Sequence, residues 1–288
     1  MSKQNKIPVI SNNIKWLSNK NRLILCQFCT KCLVMLVIDI GNSLVKSGLF
    51  EEDTLVRTFS MPTKTSSSQG LYMERLHKEN PDFSGNIIIS SVSKDTEKVI
   101  TRDIEKYTGS KPFMVNLDTD MGIKNLYTTK ESLGIDRLIN AAAAYHLYTR
   151  AKQLPAIVVD MGTATTIDYI TKDGEFIGGV IAPGMLSSYR GLLAMAQALP
   201  EVELRPPDNI IGTSTVTCLR SGVVFGHKAM VETMVKLVAQ ASNSEEPIVV
   251  LTGGISLITS HIMDQSFVHD PWLLLKGLKE IGKINGLK

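Results

Sequence analysis

Two short segments, far apart in the chain, carry an aspartate, a glycine and hydroxyl side chains in the same order. They are DIGNS, which begins at Asp39, and DMGTATT, which begins at Asp160, 121 residues later. A phosphate chain needs close backbone approach, hydrogen-bond donors and a metal-binding carboxylate, and these residue types supply all three. Two such hairpins facing each other would clamp a nucleotide triphosphate. For one segment alone, an ordinary hairpin with the aspartate bonded to the turn backbone is the simpler interpretation.

Within the first segment, each residue has a distinct expected task. A positive φ at Gly41 would bring backbone amide groups to the ligand, and Asn42 and Ser43 would add side-chain donors. Asp39 can hold a magnesium ion through water. The segment therefore predicts a phosphate-binding loop with a metal beside it.

A carboxylate and a guanidinium stand side by side in SLGIDR, residues 132–137, at the predicted start of a helix. Asp136 is a candidate general base that accepts a hydroxyl proton during phosphoryl transfer. Arg137 is a candidate bidentate partner for a substrate carboxylate. An aspartate in the first turn of a helix is also stabilised by the helix dipole, which is a sufficient structural reason for its presence.

Paired glycines occur in two further segments. LTGGIS at 251–256 would let an adenine ring lie against bare backbone, or would form a tight strand-to-helix turn that needs glycine for its dihedral angles. GGVIAPG at 178–184 has the same two interpretations, and its glycines could equally serve packing between two lobes.

The elements that must position these residues alternate between strands and helices. Two strands around a hairpin turn are predicted at 35–50, and the same plan recurs at 156–171. Because each half opens with a hairpin, the predicted class is α/β with mixed sheets. The repeat suggests two related domains joined at Leu154-Pro155. Other predicted strands are 86–92, 175–184 and 247–254, and predicted helices begin at Gly134, at about 186 (to 199) and at Cys218.

Length and charge narrow the class of protein. The 288 residues, 43% of them hydrophobic, can bury a sizeable core arranged as two lobes. Residues 1–34 contain six lysines or arginines and no acidic residue, so the net charge of +3 leaves −3 for residues 35–288. A mildly acidic body argues against nucleic-acid binding, which depends on neutralising phosphates.

The first 34 residues have a character of their own. Cys26, Cys29 and Cys32 are spaced like part of an iron–sulfur ligand run, but the fourth ligand is missing. The apolar run around them is interrupted by polar residues and leads directly into a strand pattern, so we expect neither a signal peptide nor a membrane anchor. We expect residues 1–34 to be a poorly ordered extension or to result from an upstream start.

The ordered set of motifs resembles that of the type III pantothenate kinases, which belong to the acetate kinase, heat-shock chaperone and actin superfamily. The resemblance implies an α/β fold of two ribonuclease H-like (actin-like ATPase) domains, at 35–153 and 154–288. Ser43 stands where the family usually has threonine, and Ile135 where alanine is common, and neither change removes a reacting group. The motifs are DIGNS, LGIDR preceded by Tyr127, DMGTATT, GGVIAPG, RSGVVFG and LTGG.

The resemblance also implies roles for individual residues. Asp136 would be the proton acceptor, and Asp160 would bind a monovalent cation, potassium or ammonium. The residues implied in ATP binding are Asp39, Ile40, Gly41, Asn42, Ser43, Leu44, Val45, Lys46 and Thr163. The residues implied in substrate binding are Tyr127, Gly134, Ile135, Asp136, Arg137 and Thr215.

The implied activity is transfer of the ATP γ-phosphoryl group to pantothenate, the first step of coenzyme A biosynthesis. The implied protein is a cytoplasmic homodimer that uses Mg²⁺ near Asp39 and binds neither nucleic acid nor membrane. Two alternatives are a non-catalytic regulator of the same fold and a kinase for a sugar or an acyl acid. The intact Asp39, Asp136, Arg137 and Asp160 count against lost catalysis.

Overall fold

The computed structural model of the chain describes residues 34–80, 83–243 and 246–287. The predictions for the cysteine cluster and for the apolar run that surrounds it fall outside the described residues. In the part of the chain that is described, no helix combines the length and the apolar character needed to cross a membrane.

The first half of the chain forms a mixed sheet that begins at the predicted hairpin. The strands are β1 (Val34–Ile40), β2 (Leu44–Glu51), β3 (Thr54–Pro62), β4 (Asn86–Ser91) and β5 (Phe113–Met114). They lie in the order β3-β2-β1-β4-β5, with β1 antiparallel to β2 and parallel to β4. The hairpin and the strand predicted at 86–92 are confirmed, and β3 and β5 are additions to the prediction.

The second sheet repeats this topology. Its strands are β6 (Lys124–Asn125), β7 (Ala156–Met161), β8 (Ala164–Ile170), β9 (Glu175–Pro183), β10 (Ile248–Thr252) and β11 (Val268–His269). The order is β11-β10-β7-β8-β9-β6, with β7, β8 and β9 antiparallel and β10 parallel to β7. The α/β class with two mixed sheets and an internal repeat is confirmed. The short strand β6 comes from the first half of the chain and pairs with β9.

The helices lie between and outside the sheets. They are α1 (Thr63–Ser66), α2 (Leu71–Glu79), α3 (Lys94–Thr108), α4 (Ile135–Ala144), α5 (Met185–Met195), α6 (Thr215–Ser242), α7 (Ser256–Thr259) and α8 (Leu273–Ile284). A π-helical turn, Tyr145–Thr149, continues α4.

Two helix boundaries differ from the prediction. Helix α6 begins three residues before Cys218, because Ser214 caps it in a reciprocal capping box with Thr217. Helix α5 ends at Met195 rather than at residue 199. The proline at 200 disfavours helical backbone in the residue before it, so the predicted extension is not supported locally.

Alternate side chains of β1 point into two different cores. Leu36 and Ile38 pack with α2 and α3, whereas Met35 and Val37 pack in the core that contains α4 and α8. Because side chains alternate between the two faces of a strand, Asp39 lies on the same face as Val37.

Strand β7 follows the same rule. Ile157 and Val159 pack against α6, whereas Ala156 and Val158 face the core of α4 and α8. Asp160 therefore lies on the face of its sheet that meets α4 and α8. The aspartates of the two repeats thus both face the layer of helices between the sheets.

Helices α4 and α8 form this inner layer. Residues Ala141, Ala142, Ala143 and Ala144 are at most 1% exposed, and their small side chains let α4 pass between the two sheets. A Cβ added to Gly277 of α8 would lie 2.9 Å from the backbone oxygen of Ile139, so the two helices meet almost backbone to backbone. Helix α8 also packs against β1, β2 and β4 and covers one face of the first sheet.

Candidate active site

The inner layer brings three carboxylates to the ends of β1 and β7. Asp39 and Asp160 reach it from the two sheets, and Asp136 lies in the first turn of α4. Burial, together with the nearby charges of Asp136 and Asp160, raises the pKa of Asp39 from its ordinary value of 3.8 to about 6. Burial is also the largest cause of the raised pKa of Asp160, and Asp136 adds to it. The residues that the sequence picks out as chemical candidates therefore share one electrostatic environment.

Lys46 partly offsets this negative charge. It lies directly opposite Asp39 in the antiparallel ladder of β1 and β2. Its positive charge lowers the pKa values of both Asp39 and Asp160, although burial outweighs it in each case. The site therefore concentrates acidic side chains around a lysine, an arrangement that suits the binding of cations together with phosphates.

Asp39 is held by the neighbouring parallel strand. The hydroxyl of Ser90 on β4 donates a hydrogen bond of 3.1 Å to Asp39 Oδ1. Among the described residues this is the hydrogen bond that holds the carboxylate, so the structure does not support the simpler interpretation in which Asp39 bonds the turn backbone.

The expectation for Gly41 is wrong, because its φ is not positive. The amide of Gly41 donates to the backbone oxygen of Leu44 over 3.0 Å, and a Cβ on Gly41 would lie only 3.0 Å from that oxygen. A side chain at this position would therefore require the Leu44 carbonyl to shift by a few tenths of an ångström. Thr63 reinforces the turn by donating its hydroxyl proton to the Gly41 carbonyl over 2.7 Å.

The loops of the two hairpins face each other directly. The hydroxyl oxygens of Ser43 and Thr163 are hydrogen-bonded at 2.9 Å. The start of α5 supports the second loop, because Gly184 N and Ser187 Oγ both donate to the Thr163 carbonyl, over 3.1 and 2.6 Å. Both hydroxyls are exposed, as is Asn42. These groups can therefore turn to a phosphate that enters between the loops.

The surroundings of Asp160 explain one of the paired glycines. Gly253 has a φ of +90°, and a Cβ there would lie 2.4 Å from Asp160 Oδ1. Both the backbone conformation and the close approach require glycine at this position. Gly254 has open space around its Cα. The turn interpretation thus accounts for Gly253, and the adenine interpretation applies at most to Gly254.

Asn140 also contacts Asp160. Asn140 is not among the residues predicted from the sequence. Its Nδ2 donates to Asp160 Oδ2 over 2.8 Å. Asn140 follows Asp136 by four residues on α4, so the two side chains share one face of the helix. That spacing is the signal by which the residue could have been found.

Arg137 is bound within the protein. Its Nε lies 3.1 Å from both carboxylate oxygens of Asp168 on β8, and its terminal nitrogen lies 2.5 Å from Oδ1. Tyr127 and Phe176 place their rings 5.5 and 5.9 Å from the guanidinium carbon. Asp168 therefore occupies one edge of the Arg137 guanidinium, the group that was expected to bind a substrate carboxylate. Asp168 is not among the residues predicted from the sequence.

The other residues expected to bind substrate fall into two groups. Tyr127 is half-buried beside Arg137, and Gly134 lies directly before α4, where a Cβ would come within 2.5 Å of Asp136 Oδ1. Ile135 is buried in the core that contains α4 and α8. Thr215 is exposed at the first position of α6. His227, twelve residues later on α6, is hydrogen-bonded to Thr165 of β8. The helical rise therefore places Thr215 about 18 Å along the helix axis from His227.

The carboxylates do not form a complete metal site by themselves. Within the described ranges, no three histidine, cysteine or acidic side chains converge on one metal position. A cation at this site would therefore need oxygen ligands of another kind, from phosphate, water or neutral protein groups.

Comparison with known proteins identifies the family. Residues 35–237 match the family model of type III pantothenate kinase. The chain belongs to that family. It is 35% identical over 260 residues to the type III pantothenate kinase of Finegoldia magna, an alignment that covers 88% of this chain and 98% of that protein. The type III pantothenate kinase of Agathobacter rectalis is 34% identical over 251 residues, or 85% of this chain and 95% of that one.

A solved structure supports the fold. The crystal structure of a protein described as a Baf family transcriptional activator from Campylobacter jejuni superposes with a TM-score of 0.54 and 21% identity. The match covers 87% of this chain and 98% of the other. At this level of identity the likeness concerns the architecture alone, and the family membership rests on the sequence matches.

Proposed function

We propose that this type III pantothenate kinase transfers the γ-phosphoryl group of ATP to the primary hydroxyl of pantothenate, giving 4′-phosphopantothenate, and that Asp136 accepts the hydroxyl proton. The observation that carries the proposal is the grouping of Asp39, Asp136 and Asp160 beside two hairpin loops that touch each other. A phosphate chain held between the loops would have its terminal group next to these carboxylates.

Asp136 is suited to the role of base by its geometry. Its Oδ1 accepts a hydrogen bond of 2.9 Å from the amide of Arg137, which fixes the carboxylate at the start of α4. The residue is half-buried, so Oδ2 can meet a substrate hydroxyl. Removing the proton as the phosphoryl group arrives avoids a protonated ester oxygen in the product.

The residues from Asp39 to Lys46, together with Thr163, are the proposed ATP contacts. Backbone amides of the first loop and the hydroxyls of Ser43 and Thr163 would donate to phosphate oxygens. The Lys46 ammonium would approach the phosphates from the side of Asp39. These donors replace water around the phosphates and hold the transferring group in line with its acceptor.

Two cations fit the acidic side chains. A magnesium ion would be held through water by Asp39, whose second oxygen Oδ2 is not the one that Ser90 binds. A potassium or ammonium ion would be held by Asp160. When bound, these cations offset the negative charge of ATP. The raised pKa values of both carboxylates fit such a role, because a buried carboxylate without a cation is destabilised in its charged form.

Substrate binding is proposed for Tyr127, for the stretch from Gly134 to Asp136 and for Thr215. Arg137, expected from the sequence to bind the substrate carboxylate, is proposed instead to position this stretch through its bond to Asp168. Because Thr215 lies far along α6, a homodimer that brings this helix end to the other subunit's site would explain its role. Exposed apolar side chains near that end support such an interface: Ile210 is 66% exposed and Ile211 is 75% exposed. We also propose a cytoplasmic location and a division into domains at 35–153 and 154–288.

A coupled assay of ADP release tests the function against its alternatives. The purified protein is supplied with MgATP, potassium and, in turn, pantothenate, pantothenyl alcohol, a hexose and an acyl acid. We expect fast turnover with pantothenate. Turnover with the hexose or the acyl acid alone would identify a different kinase. ATP binding without turnover on any of them would favour a non-catalytic regulator.

A further inference from the structure

Asn140 has an unusual position between the proposed base and the proposed cation ligand. It is 2% exposed, and its Nδ2 binds Asp160 Oδ2 at 2.8 Å. Its Oδ1 is buried and has no hydrogen-bond partner, one of three such side-chain atoms among the residues that the structure describes. Because the two polar atoms of an amide share one carbon, Oδ1 lies within about 5 Å of the Asp160 carboxylate.

The hydrogen bond to Asp160 determines which polar atom of the Asn140 amide has no partner. With Asp160 ionised, the opposite orientation would set Oδ1 against a carboxylate oxygen with no proton between them. The amide oxygen is therefore the free group. A buried acceptor that has given up water without a replacement is costly, and such an atom in a native protein calls for an explanation, of which a bound ion is one.

The charges around Asn140 indicate the chemistry of that partner. Asp136 lies one helical turn before it, and both Asp136 and Asp160 are negative when ionised, against the positive charge of Lys46. A hydrogen-bond donor or a cation would meet the free oxygen. Acidic side chains alone do not complete a metal site in the described part of the chain, so a cation there needs further oxygen ligands, and a neutral protein oxygen can be one of them. Amide and carboxylate oxygens are the ligands that hard cations take.

We propose that Asn140 Oδ1 is a direct ligand of the monovalent cation bound at Asp160, while Nδ2 of the same side chain orients the Asp160 carboxylate. The proposal deepens the proposed function and rests on its assignment of the cation to Asp160. One side chain would thus link the helix that carries the base to the strand that carries the cation ligand.

The test measures cation binding directly, with rubidium ion as the probe, by equilibrium dialysis of radioactive rubidium against the full chain. Asn140→Leu keeps the approximate volume and removes both polar atoms, and we expect rubidium affinity to fall about tenfold or more. Asn140→Asp keeps oxygen ligands and loses the donor, and we expect it to retain rubidium binding. Thr149→Val, which removes another buried polar atom without a partner, is the matched control and should bind rubidium like the wild type.

The outcomes separate the inference from the function on which it rests. Loss of rubidium binding in Asp160→Ala and in Asn140→Leu, but not in Asn140→Asp, supports a ligand at Oδ1. Wild-type rubidium affinity in Asn140→Leu overturns the proposed ligand at Oδ1. An equal loss of rubidium affinity in Asn140→Asp also overturns it, because that result would mean that only the Nδ2 donor matters. Wild-type protein that binds no rubidium overturns the cation site at Asp160 and the inference together. If Asn140→Leu does not fold, Asn140→Ala takes its place with the same expected loss.

Discussion

The guanidinium of Arg137 and the carboxylate of Asp168 are joined along one edge, through Nε at 3.1 Å from both oxygens and a terminal nitrogen at 2.5 Å from Oδ1. Both side chains are buried, at 7% and 2% exposure. Burial opposes the charge on Arg137, but the hydrogen bonds and charges of Asp168 and Tyr127 together outweigh it and raise the guanidinium pKa above its ordinary value. The pair ties the start of α4, and with it Asp136, to β8.

This pairing changes what substitution of Arg137 should do. Arg137→Lys keeps the charge but loses the planar fork, which costs about 1.5 to 3 kcal/mol for a charge-assisted contact. Because the lost contact is with Asp168 and not with substrate, we expect the free energy of unfolding to fall by that amount. Any fall in kcat/KM should be equal for pantothenate and for pantothenyl alcohol. Steady-state kinetics with the two substrates measure this.

The partner residue offers the complementary variant. Asp168→Asn leaves a buried guanidinium without its counter-charge, so we expect the free energy of unfolding to fall by about 3 to 5 kcal/mol in urea. Asp173→Asn, at an exposed position after β8, is the control and should change stability little. A much larger loss for pantothenate than for its alcohol in Arg137→Lys would show that Arg137 binds the substrate carboxylate after all.

Substitution of Asp136 should separate chemistry from binding. Asp136→Asn keeps the shape of the side chain and cannot accept a proton, so we expect kcat to fall by roughly 10²-fold or more, while ATP affinity stays within a few-fold. Single-turnover phosphorylation and nucleotide-binding titrations measure the two quantities. Glu131→Gln, an exposed acid shortly before α4, is the control. Turnover close to that of the wild type would remove Asp136 from the role of base.

The raised pKa of Asp39 predicts how its substitution acts on stability. In the folded protein the pKa is about 6, against 3.8 for an ordinary aspartate, so folding favours the neutral form. The resulting loss of folding free energy is absent below pH 3.8 and grows as the pH rises from 3.8 to about 6. Above pH 6 it reaches about 3 kcal/mol, at about 1.4 kcal/mol for each pKa unit.

Asp39→Asn should therefore raise the free energy of unfolding by about 3 kcal/mol at pH 8 and far less near pH 4. Urea unfolding without nucleotide or metal at the two pH values measures this, with the exposed Asp208→Asn as control. The same variant should lose ATP-dependent turnover, so that stability and activity change in opposite directions. An equal gain at both pH values would contradict the electrostatic explanation.

The sequence predicts most of the framework because local signals specify it. The continuous apolar runs of β1 and β7 predict buried strands, and the paired Asp-x-Gly segments predict the repeat. The features that the sequence does not predict depend on contacts between residues far apart in the chain. Asp168 has no local signal, since its partner is 31 residues earlier on another element. Asn140 sits within an alanine-rich helix, where only its spacing from Asp136 marks it.

Two-residue strands and the conformation of Gly41 cannot be predicted from the local sequence, for a different physical reason. Strands of two residues, such as β5 and β11, exist only because a neighbouring strand supplies their hydrogen bonds. Glycine is favoured at position 41 by the close approach of the Leu44 carbonyl, a reason that sequence cannot distinguish from a positive φ.

Helix α8 gives the molecule an unusual order of assembly. It follows the strands of the second sheet in the chain, yet it packs on β1, β2 and β4, where Gly282 lies against Met35 and Lys279 and Lys283 pair with Asp53. During synthesis, the part of the first sheet that α8 covers lacks this cover until residues 273–284 emerge, although α4 packs on the same face earlier. The first half of the chain therefore cannot complete its packing before the last helix is made, and until then the apolar surface under α8 is open to aggregation.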